Sequence, residues 1–431
     1  MSGIVSIHLG EAGIQIGSSL WELLCLEHGV APDGVPYAGY HRDELDEVFF
    51  SKYAGGKVVP RAVFADTDYT GIRNITTSTY RKIYSPDQLV KTYQGANKVF
   101  ASPATSAKIV TTLLGRIRKQ VEDCSKFQGF MLYHATGGGT GSGVGALLLE
   151  RLADEYGKNP RFTVSVAYDR HKASTEAVNH VLALSSLSEF ADTTLYVENG
   201  AIFNVLAKGY RAGKGMPRFP DVNHIIAQTI GNLTSAIRKP ATGYPANQSL
   251  VDICLNLVPN RAWPFLVSSY APIAQNGKQD EDSLTQAVYD SDSLFVNCHL
   301  DTAKYIASSL MFRGDIGMRA VNGALRKASR KISFADGASR GFKVGFVPTP
   351  PTRIPKGPFD KPPSKSCAMF SNSTAIIEPL LRSKEAFNSS ASSFTKYDLT
   401  RDDFEKASAD LDGVIEAYQA AVKGEEPASR Y

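Results

Sequence analysis

Gly137-Gly138-Gly139-Thr140-Gly141-Ser142-Gly143 places five glycines in seven residues, shortly after the largely apolar run Gly129-Phe130-Met131-Leu132-Tyr133-His134. The apolar run reads as a strand, and Val144 to Tyr156 reads as a helix. A glycine-rich turn between strand and helix lets backbone N–H groups close on an anion, and the helix dipole adds to the attraction. Thr140 and Ser142 are expected to add hydroxyl donors. A tight turn alone needs one or two glycines, so the cluster predicts a phosphate cradle. No Gly-Lys-Ser/Thr ends the loop, and no Gly-x-Gly-x-x-Gly with a later ribose-binding acid is present. Those absences set aside the usual P-loop and disfavour a dinucleotide-dependent dehydrogenase.

On the N-terminal side, Ile4 to Leu9 reads as a strand, and Ile16 to His28 as a helix stopped by Gly29. Between them, Gly10-Glu11-Ala12-Gly13-Ile14-Gln15-Ile16-Gly17 forms a second glycine-rich junction. Arg61 to Ala65 and Phe162 to Val166 read as further strands, and Lys108 to Cys124 as a helix. This βαβ rhythm predicts a doubly wound α/β domain over residues 1–200. Two anion-binding junctions on one sheet edge favour a nucleotide polyphosphate. Without a P-loop lysine, a metal ion must balance its charge, and Asp66-Thr67-Asp68 offers oxygen ligands suited to Mg²⁺.

Residues 201–375 predict a mixed α/β domain, with helices at His224 to Ile237 and Ala320 to Ser329 and strands at Phe265 to Val267 and Gly341 to Phe346. The prolines from Pro348 to Pro363 predict a surface loop. Residues 376–431 predict C-terminal helices with a short tail. Thr400 and Asp403 are spaced as a capping box, and Phe404, Leu411, Val414, Ile415 and Tyr418 fall on one face.

Composition narrows the class. The chain has 431 residues, 43% hydrophobic and 21% charged, which excludes a disordered or fibrous chain. Its net charge of +4 points to no nucleic-acid partner. Five cysteines without a Cys-x-x-Cys pair argue against a disulfide framework or a zinc site. The start Met1-Ser2-Gly3-Ile4 shows no leader features, and no apolar stretch is long enough for a membrane span, so a cytoplasmic chain with no membrane partner is expected.

The sequence resembles the tubulin/FtsZ superfamily, whose signature is the 137–143 loop, and the resemblance to tubulin is collinear along nearly the whole chain. It includes Ser6 to Gly10, Trp21-Glu22-Leu23, Val59 to Phe64, Asn256 to Pro259, Tyr270-Ala271-Pro272, Arg313-Gly314-Asp315, Gly341 to Gly345 and Ser371 to Ile376. Cys25-Leu26-Glu27-His28-Gly29 and the long segment Arg353 to Ser366 are similar to α-tubulins. The resemblance implies a tubulin-like fold, GTP with Mg²⁺, head-to-tail pairing with β-tubulin, and microtubules of the cytoskeleton as the site of action. It implies phosphate loops at Gly10, Glu11 and Ala12 and at Gly137 to Ser142, with Gly138, Gly139, Thr140 and Gly141 among the GTP-binding residues, Gln15 as a further GTP-binding residue, and Ala96 and Asn97 near the terminal phosphate. Asp68 would be the Mg²⁺-side carboxylate, Thr175 would border the nucleotide, Asn199 and Asn223 would read guanine, and Phe219 would stack on it. Asp252 would promote hydrolysis of the partner's GTP in trans.

Departures shape the expectation. Glu11 stands where the family has Gln, Ala135 replaces a hydroxyl, Gln94 an acid, and Asn179 a ribose-side acid. Asp252 is one methylene shorter than the family's Glu, and Ser249 replaces a second acid, so a slowed GTPase is expected. Asp280 and Glu281 alter the lateral loop, which motivates a second reading: a tubulin-like protein with reduced GTPase that forms non-standard filaments or caps them. Met318 to Cys367 carries eleven basic and two acidic residues, whereas Asp398 to Glu426 carries nine acids against three bases. The short acidic end predicts weakened binding of microtubule-associated proteins and motors.

Overall fold

The computed structural model describes residues 2–38, 47–91, 99–169, 174–209, 215–238, 248–273, 279–336, 341–355, 357 and 362–425. It divides into two compact units, Met1–Asp192 with Ser383–Leu411, and Thr193–Arg382 with Asp412–Tyr431.

In the first unit the chain runs β1 (Ser2–Leu9), α1 (Gly10–Glu27), β2 (Phe50–Lys52), β3 (Val58–Pro60), β4 (Ala62–Asp66), α2 (Tyr69–Thr77), β5 (Leu89–Lys91) and α3 (Pro103–Glu122). It continues through β6 (Lys126–Ala135), a single π-turn at Thr140–Val144, α4 (Gly145–Glu155), β7 (Arg161–Ala167) and α5 (Thr175–Phe190). The strands β7-β6-β1-β4-β5 form one parallel sheet. β4 and β7 are buried along their whole lengths, so the polar Thr163 and Ser165 of β7 are packed inside as fully as the apolar Ala62 to Ala65 of β4. Strand order reverses around β1, so the carboxyl ends of β1, β4 and β6 open a crevice of the kind in which such sheets bind ligands.

α1 begins at Gly10, six residues before the expected start at Ile16. Gly10 has φ +69°, a left-handed conformation that suits glycine. A side chain at Gly13 would collide with the Tyr133 carbonyl oxygen of β6. Much of the second glycine cluster therefore serves the packing of a helix against a strand.

The second unit holds β8 (Thr193–Glu198), α6 (Asn199–Gly209), α7 (Phe219–Arg238), α8 (Leu250–Leu257), β9 (Phe265–Ala271), α9 (Glu281–Val288), β10 (Lys304–Gly314), α10 (Met318–Ala328), β11 (Ser333–Phe334), β12 (Phe342–Val347) and β13 (Lys365–Ser373). Its sheet is mixed: β13 pairs antiparallel with both β10 and β9, while β8–β9, β10–β11 and β10–β12 are parallel. The proline-rich segment is not wholly a surface loop. Pro351 and Ile354 are buried, and the buried Arg313 guanidinium donates to the Thr349 and Pro350 carbonyls at 3.3 and 3.2 Å.

The chain closes with α11 (Ile377–Asn388) and α12 (Arg401–Lys423). Thr400 N–H donates to Asp403 Oδ2 at 2.8 Å and Asp403 N–H to Thr400 Oγ1 at 3.3 Å, which completes the expected capping box. Phe404, Leu411, Val414, Ile415 and Tyr418 are all buried. The five cysteines are free thiols, four of them buried. Among the described residues no helix is long and apolar enough to cross a membrane.

Candidate nucleotide-binding site

The crevice at the strand ends is a pocket of about 430 Å³, within the range of small-ligand sites. Gly10, Glu11, Ala12, Asp68, Gly138, Gly139, Thr140 and Gly141 line it, together with Asp66, Thr67, Thr70, Gly71, Ala135, Gly137 and Glu176. Gln15 and Thr175 lie outside that lining. The Gln15 amide donates instead to Glu11 Oε1 at 3.1 Å, and the Thr175 carbonyl stands 2.9 Å from the Tyr397 hydroxyl. Gln94, Ala96 and Asn97 fall outside the described residues.

The glycines of the loop divide by task. Side chains at Gly141 and Gly143 would collide with the backbones of Ala135 and Ala101, whereas one at Gly138 would meet nothing within 4 Å. Close packing therefore demands the later glycines, and only the first part of the loop faces open space. The Ser142 hydroxyl is not the expected phosphate donor, because it is turned back to the Gly138 carbonyl at 2.6 Å. Thr140 Oγ1 donates to Asp66 Oδ1 at 3.1 Å and lies 2.6 Å from Thr67 Oγ1. Backbone N–H groups are left as the cradle's main anion-facing donors.

Buried neutral side chains fix the loop from behind. His134 Nδ1 pairs with the Gly141 carbonyl at 2.7 Å and Nε2 with Ser165 Oγ at 2.8 Å. Burial lowers the His134 pKa to about 4, so the ring is neutral and its Nδ1–H donates to the carbonyl. His8, stacked between Phe64 and Tyr133, accepts from Trp21 Nε1–H at 3.1 Å and faces the Gly13 carbonyl at 3.2 Å. Burial lowers its pKa to about 3, and that of His180 likewise to about 3.

Asn179, at the position of a ribose-side acid, is fully buried. Its Nδ2–H donates to the Gly137 carbonyl at 2.8 Å, and its Oδ1 accepts from Phe100 N–H at 2.9 Å and lies 2.9 Å from the Tyr397 hydroxyl. An amide can both donate and accept, as these contacts require, so Asn179 braces the phosphate loop.

Asp66 and Asp68 carry the hard-oxygen chemistry. Asp66 is buried, and burial raises its pKa against the lowering effect of the Asp68 N–H and the Thr140 hydroxyl. Asp68 caps α2, accepting from the Thr70 N–H and hydroxyl, each at 3.1 Å. Carboxylates and hydroxyls around a phosphate cradle are the donor set that Mg²⁺ takes, and the residues present fit the ion. Among the described residues no group of three His, Cys, Asp or Glu is assembled to hold a metal unaided, so waters or ligand oxygens would complete any coordination.

The remaining expected residues belong to the second unit. Asn199 opens α6, and Asn223 lies in α7. Phe219, at the start of α7, is 55% exposed and meets Phe203 edge-on at 5.3 Å. Asp252 sits on the exposed first turn of α8, where its Oδ2 accepts from Ser249 N–H at 2.8 Å and from Ser249 Oγ at 2.7 Å. The altered lateral loop is described only from residue 279 onward. There Asp280 caps α9. Glu281 is buried against Gly317 N–H at 3.0 Å and Lys365 Nζ at 2.9 Å, partners that outweigh burial and hold its pKa below the usual carboxylate value. Both acids thus have local structural roles.

A parallel sheet with a glycine-rich phosphate cradle at its reversal point defines a nucleotide-binding protein of the doubly wound α/β class. Residues 3–207 match the Tubulin/FtsZ family GTPase domain, and residues 262–385 the Tubulin C-terminal domain. The tubulin alpha-2 chain of Eleusine indica is 37% identical over 403 residues, which cover 90% of this chain and 89% of that protein. The tubulin alpha-3 chain of Zea mays is 37% identical over 404 residues, covering 90% and 88%. The tubulin alpha-1 chain of Arabidopsis thaliana is 37% identical over 403 residues, again covering 90% and 88%. The chain belongs to the tubulin/FtsZ family, as a divergent α-tubulin-like member.

Proposed function

We propose that this chain is a GTP-binding α-tubulin-like subunit that pairs with β-tubulin and polymerises head to tail into microtubules. The observation that carries the reading is the 430 Å³ pocket in which Gly10, Asp66, Asp68 and the 137–141 loop converge at the reversal of the parallel sheet. In this reading the chain retains three functional parts: residues 1–200 bind nucleotide, 201–375 are intermediate, and 376–431 form the C-terminal helices.

Backbone N–H groups of residues 10–12 and 138–141 bind the phosphates, with Gln15, Ala96, Asn97 and Thr175 bordering the nucleotide. Asn199 and Asn223 read the guanine edge, since an amide left unpaired in a dry pocket is costly, and Phe219 stacks on the base. Asp68, supported by Asp66, holds Mg²⁺, which when bound neutralises phosphate charge.

Asp252 acts on the GTP of the next subunit in the polymer. Its exposure suits a group that must meet another molecule, and the Ser249 cap fixes its rotamer. The shorter side chain slows hydrolysis without abolishing it. The acids that motivated a capping protein are engaged within this chain, so the described part of the lateral loop does not favour that reading.

The test is polymerisation of the purified protein with β-tubulin and GTP, followed by electron microscopy and phosphate release. Tubular polymers and a guanine nucleotide released on denaturation are expected. Asp252→Asn, which keeps an acceptor for Ser249, should lower polymer-stimulated phosphate release about 100-fold while leaving nucleotide content unchanged. Unchanged release would remove Asp252 from the mechanism, and bound NAD in place of GTP or GDP would overturn the whole reading.

A further inference from the structure

We propose that a second pocket, contained in the second unit, binds a small aromatic zwitterion such as a free aromatic amino acid. The cavity is about 570 Å³, within the range of small-ligand sites and larger than the nucleotide pocket. It opens where α9 and α10 both end, bordered by the 290–301 segment and the start of β10. Its residues take no part in the guanine-nucleotide reading. Tyr305, only 2% exposed, and the half-buried Tyr289 supply its aromatic surface, with ring centroids 5.9 Å apart and planes at 73°. A flat ring set in such a corner stacks on one and meets the other edge-on. The Tyr289 hydroxyl lies 2.6 Å from Ser308 Oγ, which fixes that wall. Burial raises the pKa of both phenols, so the surface stays uncharged.

The mouth of this pocket carries opposite charges on its two sides. Asp290, Asp292 and Asp301 stand on the side that follows α9, and Lys327 and Lys331 on the side of α10. The acidic turn is set by its own chain: Asp290 Oδ1 accepts from Asp292 N–H at 3.0 Å, and the Asp292 carboxylate meets Lys208 Nζ at 2.7 Å. α9 has no basic residue in its last turn, so the negative end of its dipole adds to the acids. On the opposite side Lys327 pairs with Asp282 of α9 at 2.8 Å, which ties the two helices together, and Lys331 is exposed about one turn further on. A ligand of a single charge satisfies one side and sets its charge against the like charge of the other. An apolar ring with an ammonium at one end and a carboxylate at the other matches Asp301 and Lys331 at once. Each such pair at a solvated rim is worth about threefold in affinity.

The experiment measures binding of L-tryptophan, tryptamine, indole-3-acetate and indole to the full chain by titration calorimetry at neutral pH. These probes share one ring system and carry, in turn, both charges, the positive charge, the negative charge and neither. Tryptophan is expected to bind most tightly, with a Kd of about 1 mM or below, about threefold tighter than either singly charged probe and about tenfold tighter than indole. Asp301→Asn should weaken tryptophan and tryptamine about threefold and spare indole-3-acetate. Lys331→Gln should weaken tryptophan and indole-3-acetate about threefold and spare tryptamine. Both changes fall at exposed positions, and the four probes are compared on the unaltered protein, so a variant that fails to fold leaves the test intact. No tryptophan binding at about 10 mM, equal affinity for the four probes, or variants that weaken every probe alike overturns the assignment, and the guanine-nucleotide reading stands in each of these cases.

Discussion

The nucleotide pocket of the first unit and the exposed turn of α8 in the second each present a carboxylate on which the proposed chemistry depends, and they hold it in opposite ways. Asp66 is buried beneath Thr140 and the Asp68 N–H, inside a wall of neutral histidines and one fully buried asparagine. Asp252 stands on an open helix turn, steadied by one serine. A group that must preserve the shape of a cradle is over-determined by its own chain. A group that must reach a second molecule keeps only enough support to fix its rotamer.

Acid breaks this contrast most strongly. His8, His134 and His180 are held neutral by burial, with pKa values lowered to about 3, about 4 and about 3. Each takes up a proton on unfolding once the pH drops below its ordinary value of about 6.5, so the native state loses stability as pH falls from about 6.5 towards 4. Each histidine accounts for about 1.4 kcal/mol per pH unit well below 6.5. Asp66 works in the other direction, because burial raises its pKa and the native state holds its proton more tightly. The net of the three histidines dominates. Thermal unfolding between pH 7 and pH 5 should show a steep fall in Tm and earlier loss of bound nucleotide; a flat profile would place the histidines outside the stabilising wall.

Asn179→Asp comes next. An ionised aspartate cannot donate to the Gly137 carbonyl, and it puts a charge at a fully buried position beside Phe100 N–H and the Tyr397 hydroxyl. Destabilisation of about 3 kcal/mol with weakened nucleotide binding is expected, measured by urea unfolding and calorimetry. Retained GTP affinity in that variant would assign position 179 to the ligand after all. The smallest effect belongs to the exposed region: Ser249→Ala removes the cap of α8 and should cost about 1 kcal/mol, visible as a small shift in the urea midpoint. Its effect on phosphate release should exceed its effect on stability, because it frees the Asp252 rotamer.

The sequence shows some parts of this arrangement more readily than others. The parallel sheet is legible because short strand-like stretches such as Ala62 to Ala65, Phe130 to Tyr133 and the alternating Phe162 to Val166 are separated by helical patterns, and the capping box at Thr400 and Asp403 is legible because capping is local chemistry. α5 is not, since it is buried on nearly every side and its apolar residues follow no single stripe. With α5 unread, Glu176 had no reason to be placed at the pocket, although Ser174 three residues before Ala177 is a helix-start signal. The glycines of 10–17 illustrate a different difficulty. A glycine that approaches phosphate and one that approaches a neighbouring strand look identical in sequence, and only the Tyr133 carbonyl beneath Gly13 separates them. Ser142 departs from the expected phosphate donor for a related reason, because a hydroxyl in a tight loop has its own backbone as its nearest acceptor.

The first unit is assembled from two stretches of chain, Met1–Asp192 and Ser383–Leu411. His180 Nε2 lies 3.1 Å from Ser383 Oγ, and Asn179 and the Thr175 carbonyl wait for Tyr397, more than 200 residues downstream. During synthesis on the ribosome, the amino-terminal stretch therefore emerges complete in its strands but without its last braces, and it stays in that state while residues 193–382 are translated. The braces from Ser383 and Tyr397 close only once residues near 411 have left the exit tunnel, so the order of maturation in this protein runs from its end back to its beginning.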